Sequence, residues 1–270
     1  MNYYKISITS EIETQGLIIA VLSHNGFDGF EEDEYGIKTY IQEKEFNANH
    51  FSDLAKELGF HYKTKLIPDQ NWNAIWEANF QPIQINNFCA IRADFHAPLP
   101  DVKHEIVINP KMAFGTGHHE TTHMMMEMME AINFQDKKVF DFGCGTGILA
   151  ILANKLGSEH IFAIDIDPLS YENTLENIAI NNSTGITTKA GEINLVLEDK
   201  FDIILANINR TVILNTLPIL HTKTITGGYT LLSGILKTDE TLVKDHIKKT
   251  GFNLVETKSK GEWLCIKLQK

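Results

Sequence analysis

Val139-Phe140-Asp141-Phe142-Gly143-Cys144-Gly145-Thr146-Gly147, with Asp165 closing the next apolar segment, decides the fold of this chain. An apolar strand that runs into three alternating glycines, and then into a helical pattern, brings bare backbone to a ligand at the strand's carboxyl end. A carboxylate at the end of the following strand can accept both hydroxyls of a ribose. Together they predict a nucleoside-binding crevice in a parallel sheet.

The glycine spacing separates two classes of nucleoside. Dinucleotide sites use G-x-G-x-x-G, whose last glycine lets the helix pack closely while its amino end faces a pyrophosphate. Here the spacing is G-x-G-x-G, and the β-branched Ile148 stands where the dinucleotide pattern wants glycine or alanine. S-adenosylmethionine (SAM) carries no phosphate and needs no such approach, so the spacing favours it. A ligand-free strand-to-helix turn is the plainer explanation of a glycine run, and Asp141, Asp165 and the downstream Asn207 weigh against it.

Outward from this motif the pattern alternates. Strands are predicted at 137–142, 160–165, 186–190, 201–206 and 228–233. Helices fall at 147–156, 168–181, 209–220 and 238–250, and two strands, 252–258 and 262–268, close the chain. Such alternation implies an α/β fold with a mostly parallel sheet wound on both faces and one antiparallel hairpin at its edge.

The opening residues are organised differently. A strand at 3–9, a helix at about 11–24, strands at 27–30 and 37–41 around the acidic turn Glu31 to Gly36, a helix at about 47–58 and a strand at 61–67 give the order βαββαβ, the ferredoxin-like pattern. The expected organisation is a ferredoxin-like α+β recognition domain over 1–67, a helical connector over 68–80 and a catalytic domain over 81–270. Trp72 and Trp76 lie one helical turn apart in the connector and read as a staple between domains. Pro82, Pro98 and Pro100 punctuate the region after it, which includes a strand at 88–92.

Composition narrows the function. The chain has 270 residues, 35 acidic against 24 basic and a formal charge of -11, with no basic block to track a phosphate backbone. Extensive or sequence-specific nucleic-acid contact is therefore disfavoured, and a basic protein substrate would suit the surface. The apolar run Gly16 to Leu22 is far below the ~20 residues of a membrane span, and no basic segment leads into it. Cys89, Cys144 and Cys265 are too few for a disulfide framework and read as buried small hydrophobes. The expectation is a cytoplasmic protein without membrane contact.

His119-Glu120-Thr121-Thr122-His123 spells the H-E-x-x-H string of zinc peptidases. That reading needs a helix already formed at His119, and Gly115 and Gly117 predict loop until about Glu120, so no metal is assigned. Met124 to Met126 with Met128 and Met129 read as adaptable core filling. Tyr171, Glu172 and Glu192 lie where an adenine would sit, although a solvated face explains them equally well.

Several blocks carry a family resemblance: Asn109-Pro110 through Ala113-Phe114-Gly115-Thr116-Gly117 to Thr121-Thr122, the glycine motif through Ala150, Ala163 to Pro168, Ala206-Asn207-Ile208 and Leu232 to Leu236. Together they resemble the bacterial ribosomal protein L11 methyltransferase family. The resemblance implies a SAM-dependent, Rossmann-like seven-stranded methyltransferase domain preceded by a small ferredoxin-like domain. It implies methylation of the α-amine and lysine amines of the ribosomal protein, free or on the large subunit. The cofactor contacts it implies are Thr122, Gly143, Asp165 and Asn207, with Gly145 in the same turn. The sequence departs from that family's usual threonine and proline at His118 and Glu120.

The chemistry that follows requires little acid or base. A sulfonium makes its methyl electrophilic, so the enzyme must hold a neutral amine in line and exclude water. Asn207 is the best candidate to orient the amine or the cofactor, and no general base is assigned. Asn207-Ile208-Asn209-Arg210 stands where amino-methylating nucleic-acid enzymes carry an aromatic ring that stacks on a flipped base, and the ring is missing. An RNA or DNA amino-methyltransferase is thus the alternative, and a non-catalytic ribosome assembly factor a further one.

Overall fold

Alternating apolar residues make Tyr3–Thr9 a strand (β1) whose Ile6 and Ile8 are buried on one face. In the computed structural model, which describes residues 2–67, 80–109, 114–196 and 200–270, β1 is followed by α1 (Ile12–His24), β2 (Asp28–Asp33), β3 (Gly36–Gln42), α2 (Ala48–Leu58) and β4 (His61–Ile67). The strands form an antiparallel sheet in the order β2-β3-β1-β4, the ferredoxin-like arrangement. Ile18 and Leu22 from α1 and Phe51 from α2 pack with Ile6, Ile8 and Ile37 in one core. Asn47 starts α2 by accepting the backbone N–H groups of Asn49 and His50. The acidic turn is shorter than the sequence suggests. β2 runs to Asp33, because charged side chains are tolerated on an edge strand, and Asp33 closes the turn by accepting the Tyr35 N–H.

The chain divides into two units, Met1–Phe80 and Gln81–Lys270. The connector tryptophans Trp72 and Trp76, like residues 110–113, lie outside the described residues. The second unit opens with a small sheet, β5 (Ile83–Ile85), β6 (Cys89–Arg92) and β7 (His104–Val107), in that order. Only β6 is apparent from sequence, where Phe88 to Ile91 form an apolar run that β5 and β7 lack.

The main sheet begins after α3 (Glu120–Met129). Its elements are β8 (Lys138–Phe142), α4 (Ile148–Lys155), β9 (His160–Asp165), α5 (Pro168–Ile180), β10 (Ile186–Ala190), β11 (Phe201–Asn207), α6 (Arg210–Lys223), β12 (Thr224–Leu236), α7 (Glu240–Thr250), β13 (Asn253–Lys260) and β14 (Trp263–Gln269). The order is β10-β9-β8-β11-β12-β14-β13. β14 runs antiparallel between β12 and β13. It takes the inner place because Leu264, Cys265, Ile266 and Leu268 are buried, whereas β13 leaves Leu254 42% and Val255 47% exposed.

Both faces of the sheet are covered. Met124, Met125, Met126, Met128 and Met129 of α3 pack with Ile151 of α4 on one side, as core filling. Ile213 and Leu217 of α6 and Val243 of α7 pack on the other. All three cysteines are free and buried. Among the described residues no helix is long and apolar enough to cross a membrane. Chain order reverses between β8 and β11, and that switch point opens a crevice at the strands' carboxyl ends.

Candidate active site

The glycine turn after β8 is held in place from all sides. The Gly143 and Cys144 N–H groups donate to the Ile164 carbonyl at 2.8 and 3.0 Å, and the Thr146 N–H donates to the Phe114 carbonyl at 2.9 Å. The Thr174 hydroxyl donates to the Gly145 carbonyl at 2.8 Å, and the Asn177 amide to the Thr146 carbonyl at 2.8 Å. Gly143 and Gly145 adopt φ values of 75° and 56°. A Cβ at Gly143 would strike the Ile208 side chain, and one at Gly145 the Phe114 carbonyl, so neither position accepts a larger residue without movement.

The two aspartates of the motif have different environments. Asp165 ends β9 half-buried; its Oδ2 accepts the Gly145 N–H at 2.9 Å and its Oδ1 the Asp167 N–H at 3.0 Å. Asp141 is fully buried. Its Oδ2 accepts the Ala150 N–H at 3.1 Å, and its Oδ1 has no partner among the described residues. Burial pushes the Asp141 carboxyl up to about 7, opposed by the Ala150 hydrogen bond and assisted by the charge of Asp165.

A cavity of about 910 Å³ opens beside this turn. Gly143, Gly145 and Asp165 line it, as does Asn207 from the end of β11. Its lining also includes Phe114, His119 and Trp263. The His119 ring meets Phe114 edge-on with centroids 5.3 Å apart and Trp263 likewise at 4.9 Å.

Four of the five predicted site residues therefore share one cavity. Thr122 is not among the lining residues. It is 0% exposed in α3, and Asn207 Nδ2 donates to its hydroxyl at 3.1 Å, so it meets the cavity only through Asn207. Asn207 Oδ1 is buried and has no partner among the described residues. Glu192 lines the cavity, whereas Tyr171 and Glu172 are absent from its walls.

Three wall residues had weaker signals. Phe114 and His119 fall in quoted motifs, but nothing local marks Trp263, which the β13–β14 hairpin carries there. The H-E-x-x-H string is divided by the start of α3: His119 is the residue before the helix, where its Nδ1 meets the Thr121 hydroxyl at 2.8 Å. His123 pairs instead with Glu127 at 3.2 Å. Among the described residues no group of three His, Cys, Asp or Glu side chains is placed to hold a metal ion. At His118 the loop is braced by the histidine itself, whose ring nitrogens contact the Thr116 hydroxyl at 3.2 Å and the Gln81 carbonyl at 3.0 Å.

These residues fit SAM. The cavity volume lies within the usual range for small-molecule sites, about 300–1,000 Å³. The turn presents backbone without a Cβ, and the Asn207 side chain lines the same cavity. A seven-stranded sheet in this order, with a ligand rim at its switch point, is that of the Rossmann-like SAM-dependent methyltransferases. A solved ribosomal protein L11 methylase from Lactobacillus delbrueckii subsp. bulgaricus superposes with a TM-score of 0.65 at 28% identity, covering 71% of this chain and 99% of that one.

The chain belongs to the ribosomal protein L11 methyltransferase (PrmA) family, whose model matches residues 11–270. It is 39% identical over 258 residues to a ribosomal protein L11 methyltransferase of Porphyromonas gingivalis, covering 93% of this chain and 89% of the relative. It is 37% identical over 277 residues to that of Phocaeicola vulgatus, covering 99% of both. It is a SAM-dependent protein methyltransferase.

Proposed function

We propose that this protein transfers methyl groups from SAM to the α-amine and lysine amines of ribosomal protein L11, in the cytoplasm. Family membership supports the target, and one observation supports the chemistry: the Gly143–Gly145 turn, Asp165 and Asn207 line one cavity at the strands' carboxyl ends. Free, buried thiols suit a reducing compartment. A protein target rather than nucleic acid agrees with the charge of -11.

Bound SAM supplies an electrophilic methyl on a sulfonium. Gly143 and Gly145 admit the donor to the backbone. Asp165 grips its ribose, since each carboxylate oxygen already accepts one N–H and retains a second acceptor direction. Asn207, which lines the same cavity from the end of β11, is the side chain placed to orient the amine or the donor. Phe114, His119 and Trp263 exclude water around it, which favours the neutral amine. An α-amine, with pKa near ~8, loses its proton more readily than lysine, near ~10.4.

Purified protein, isotopically labelled SAM and either L11 or ribosomal RNA test this directly. Mass spectrometry is expected to find methyl groups on L11 amines, with free L11 and intact large subunits compared side by side. Transfer to RNA with none to L11 would overturn the proposal.

A further inference from the structure

We infer that the side of the first unit's sheet facing away from its helices is a docking surface for single-stranded RNA, bound without regard to base sequence. It is built from residues that take no part in the cavity, and it holds whichever amine is methylated.

Strand pairing assembles this surface from residues far apart in the chain. Ile6, Ile8 and Ile37 pack with α1 and α2, so the residues that alternate with them face the other way. Pairing sets Lys5 between Tyr40 of β3 and Lys65 of β4, and Ser7 between Lys38 and Lys63. Tyr3 stands two residues from Lys5 on the same side. Four lysines and two tyrosines therefore share one side of a four-stranded sheet, in a chain whose formal charge is -11. No basic block shows in the sequence because β1, β3 and β4 each supply only one or two of them.

Three of the lysines have no acidic partner among the described residues. Lys38 is held by Glu31 at 3.8 Å and Asp33 at 3.6 Å. Lys63 and Lys65 are exposed, and the Lys5 ammonium lies 5.9 Å from the centroid of the Tyr40 ring. Lys5 and Lys65 are directly opposite one another, an arrangement that costs a sheet stability until an anion offsets it. The rings are available beside them: Tyr3 is 38% exposed, and the Tyr40 hydroxyl donates to Glu31 at 3.1 Å, which steadies its ring.

Charge and rings together select RNA. Cations on neighbouring strands follow a phosphate chain, while aromatic faces on an open four-stranded sheet stack on bases of any identity. An acidic peptide would satisfy the lysines and leave the rings unused. A basic protein would be repelled.

The test uses the full-length protein and a short fluorescein-labelled oligouridine, read by fluorescence anisotropy across a salt titration, with a labelled poly-glutamate peptide of equal length beside it. Oligouridine affinity should fall with salt at a log–log slope of about -2, from about 0.7 for each of three lysines. Lys63→Ala combined with Lys65→Ala should bring the slope to about -0.7, and Lys63→Glu combined with Lys65→Glu should abolish binding. Tyr3→Ala should weaken binding about tenfold with the slope unchanged, the mark of a lost stack and not of a lost charge. Methylation of L11 in the absence of RNA should keep its kcat and KM in all of these variants. The inference is overturned if oligouridine fails to bind at low salt, if poly-glutamate binds as tightly, or if Tyr3→Ala changes nothing. It is also overturned if the KM for L11 rises in step with the loss of oligouridine, which would give this surface to the protein substrate.

Discussion

On the β8–β9 side of the cavity rim, the facing groups are the backbone of the turn after β8 and one carboxylate from the next strand. On the β11 side they are side chains collected from His119, Asn207 and Trp263, whereas Phe114 borders the turn through its carbonyl. The first side is a cradle set by backbone conformation, and its members lie close together in the chain. The second is a wall set by packing, with members separated by the whole length of the catalytic unit. The donor is assigned to the cradle and the acceptor to the wall. Damage to the first should therefore appear in cofactor affinity, and damage to the second in KM or kcat for L11.

The sharpest way to break that division is Asp165→Ala. Losing two charge-assisted contacts to a ribose should weaken SAM binding by about 3 kcal/mol, on the order of 100-fold. Calorimetry that finds SAM bound as tightly as before would dissolve the distinction. Gly145→Ala follows, because a Cβ there meets the Phe114 carbonyl on a backbone of φ 56°. A loss of about 2–3 kcal/mol of stability is expected, visible as a lower thermal midpoint. An unshifted midpoint would mean the cradle is looser than its hydrogen bonds indicate.

Asp141 sharpens the comparison through pH. Its folded carboxyl is raised from 3.8 to about 7 by burial. Below pH 3.8 both states hold the proton. Between the two values the folded state keeps a proton that the unfolded chain releases, so the stability contributed by this group declines as pH rises, until about 7. Asp141→Asn cannot titrate. Urea unfolding from pH 4 to 8 should show wild type losing stability relative to the variant as pH rises, with the loss complete near pH 7. A constant difference across that range would contradict it.

The smallest effect is expected on the wall. Trp263→Leu removes the ring that meets His119 and should raise the KM for L11 about fivefold, near 1 kcal/mol, while SAM affinity stays the same. A change confined to SAM affinity would place Trp263 with the donor.

Legibility followed the same division. The glycine turn, Asp165 and the alternating elements from β8 to β12 could be read from sequence, because a period of 2 or 3.6 and a turn requiring positive φ are properties of adjacent residues. The βαββαβ order of the first unit was equally plain. β5 and β7 were not, lacking the apolar run of β6. Thr122 was marked by the motif around it, but not the direction its hydroxyl serves, since its partner is 85 residues away. His119 and His123 spell a pair, but Gly115 and Gly117 already placed His119 before the helix, and α3 does start at Glu120.

The amino-acid sequence alone therefore determined a mostly parallel sheet with a glycine turn and a carboxylate at the end of the next strand, because hydrogen bonding, sterics and periodicity act between near neighbours. Only the tertiary structure decided that β14 lies inside β13, that Trp263 reaches the cavity, and that Thr122 stands behind Asn207. Those outcomes depend on which apolar strand wins burial and which buried polar groups find each other. That competition is settled across the whole chain at once, and no local stretch records its result.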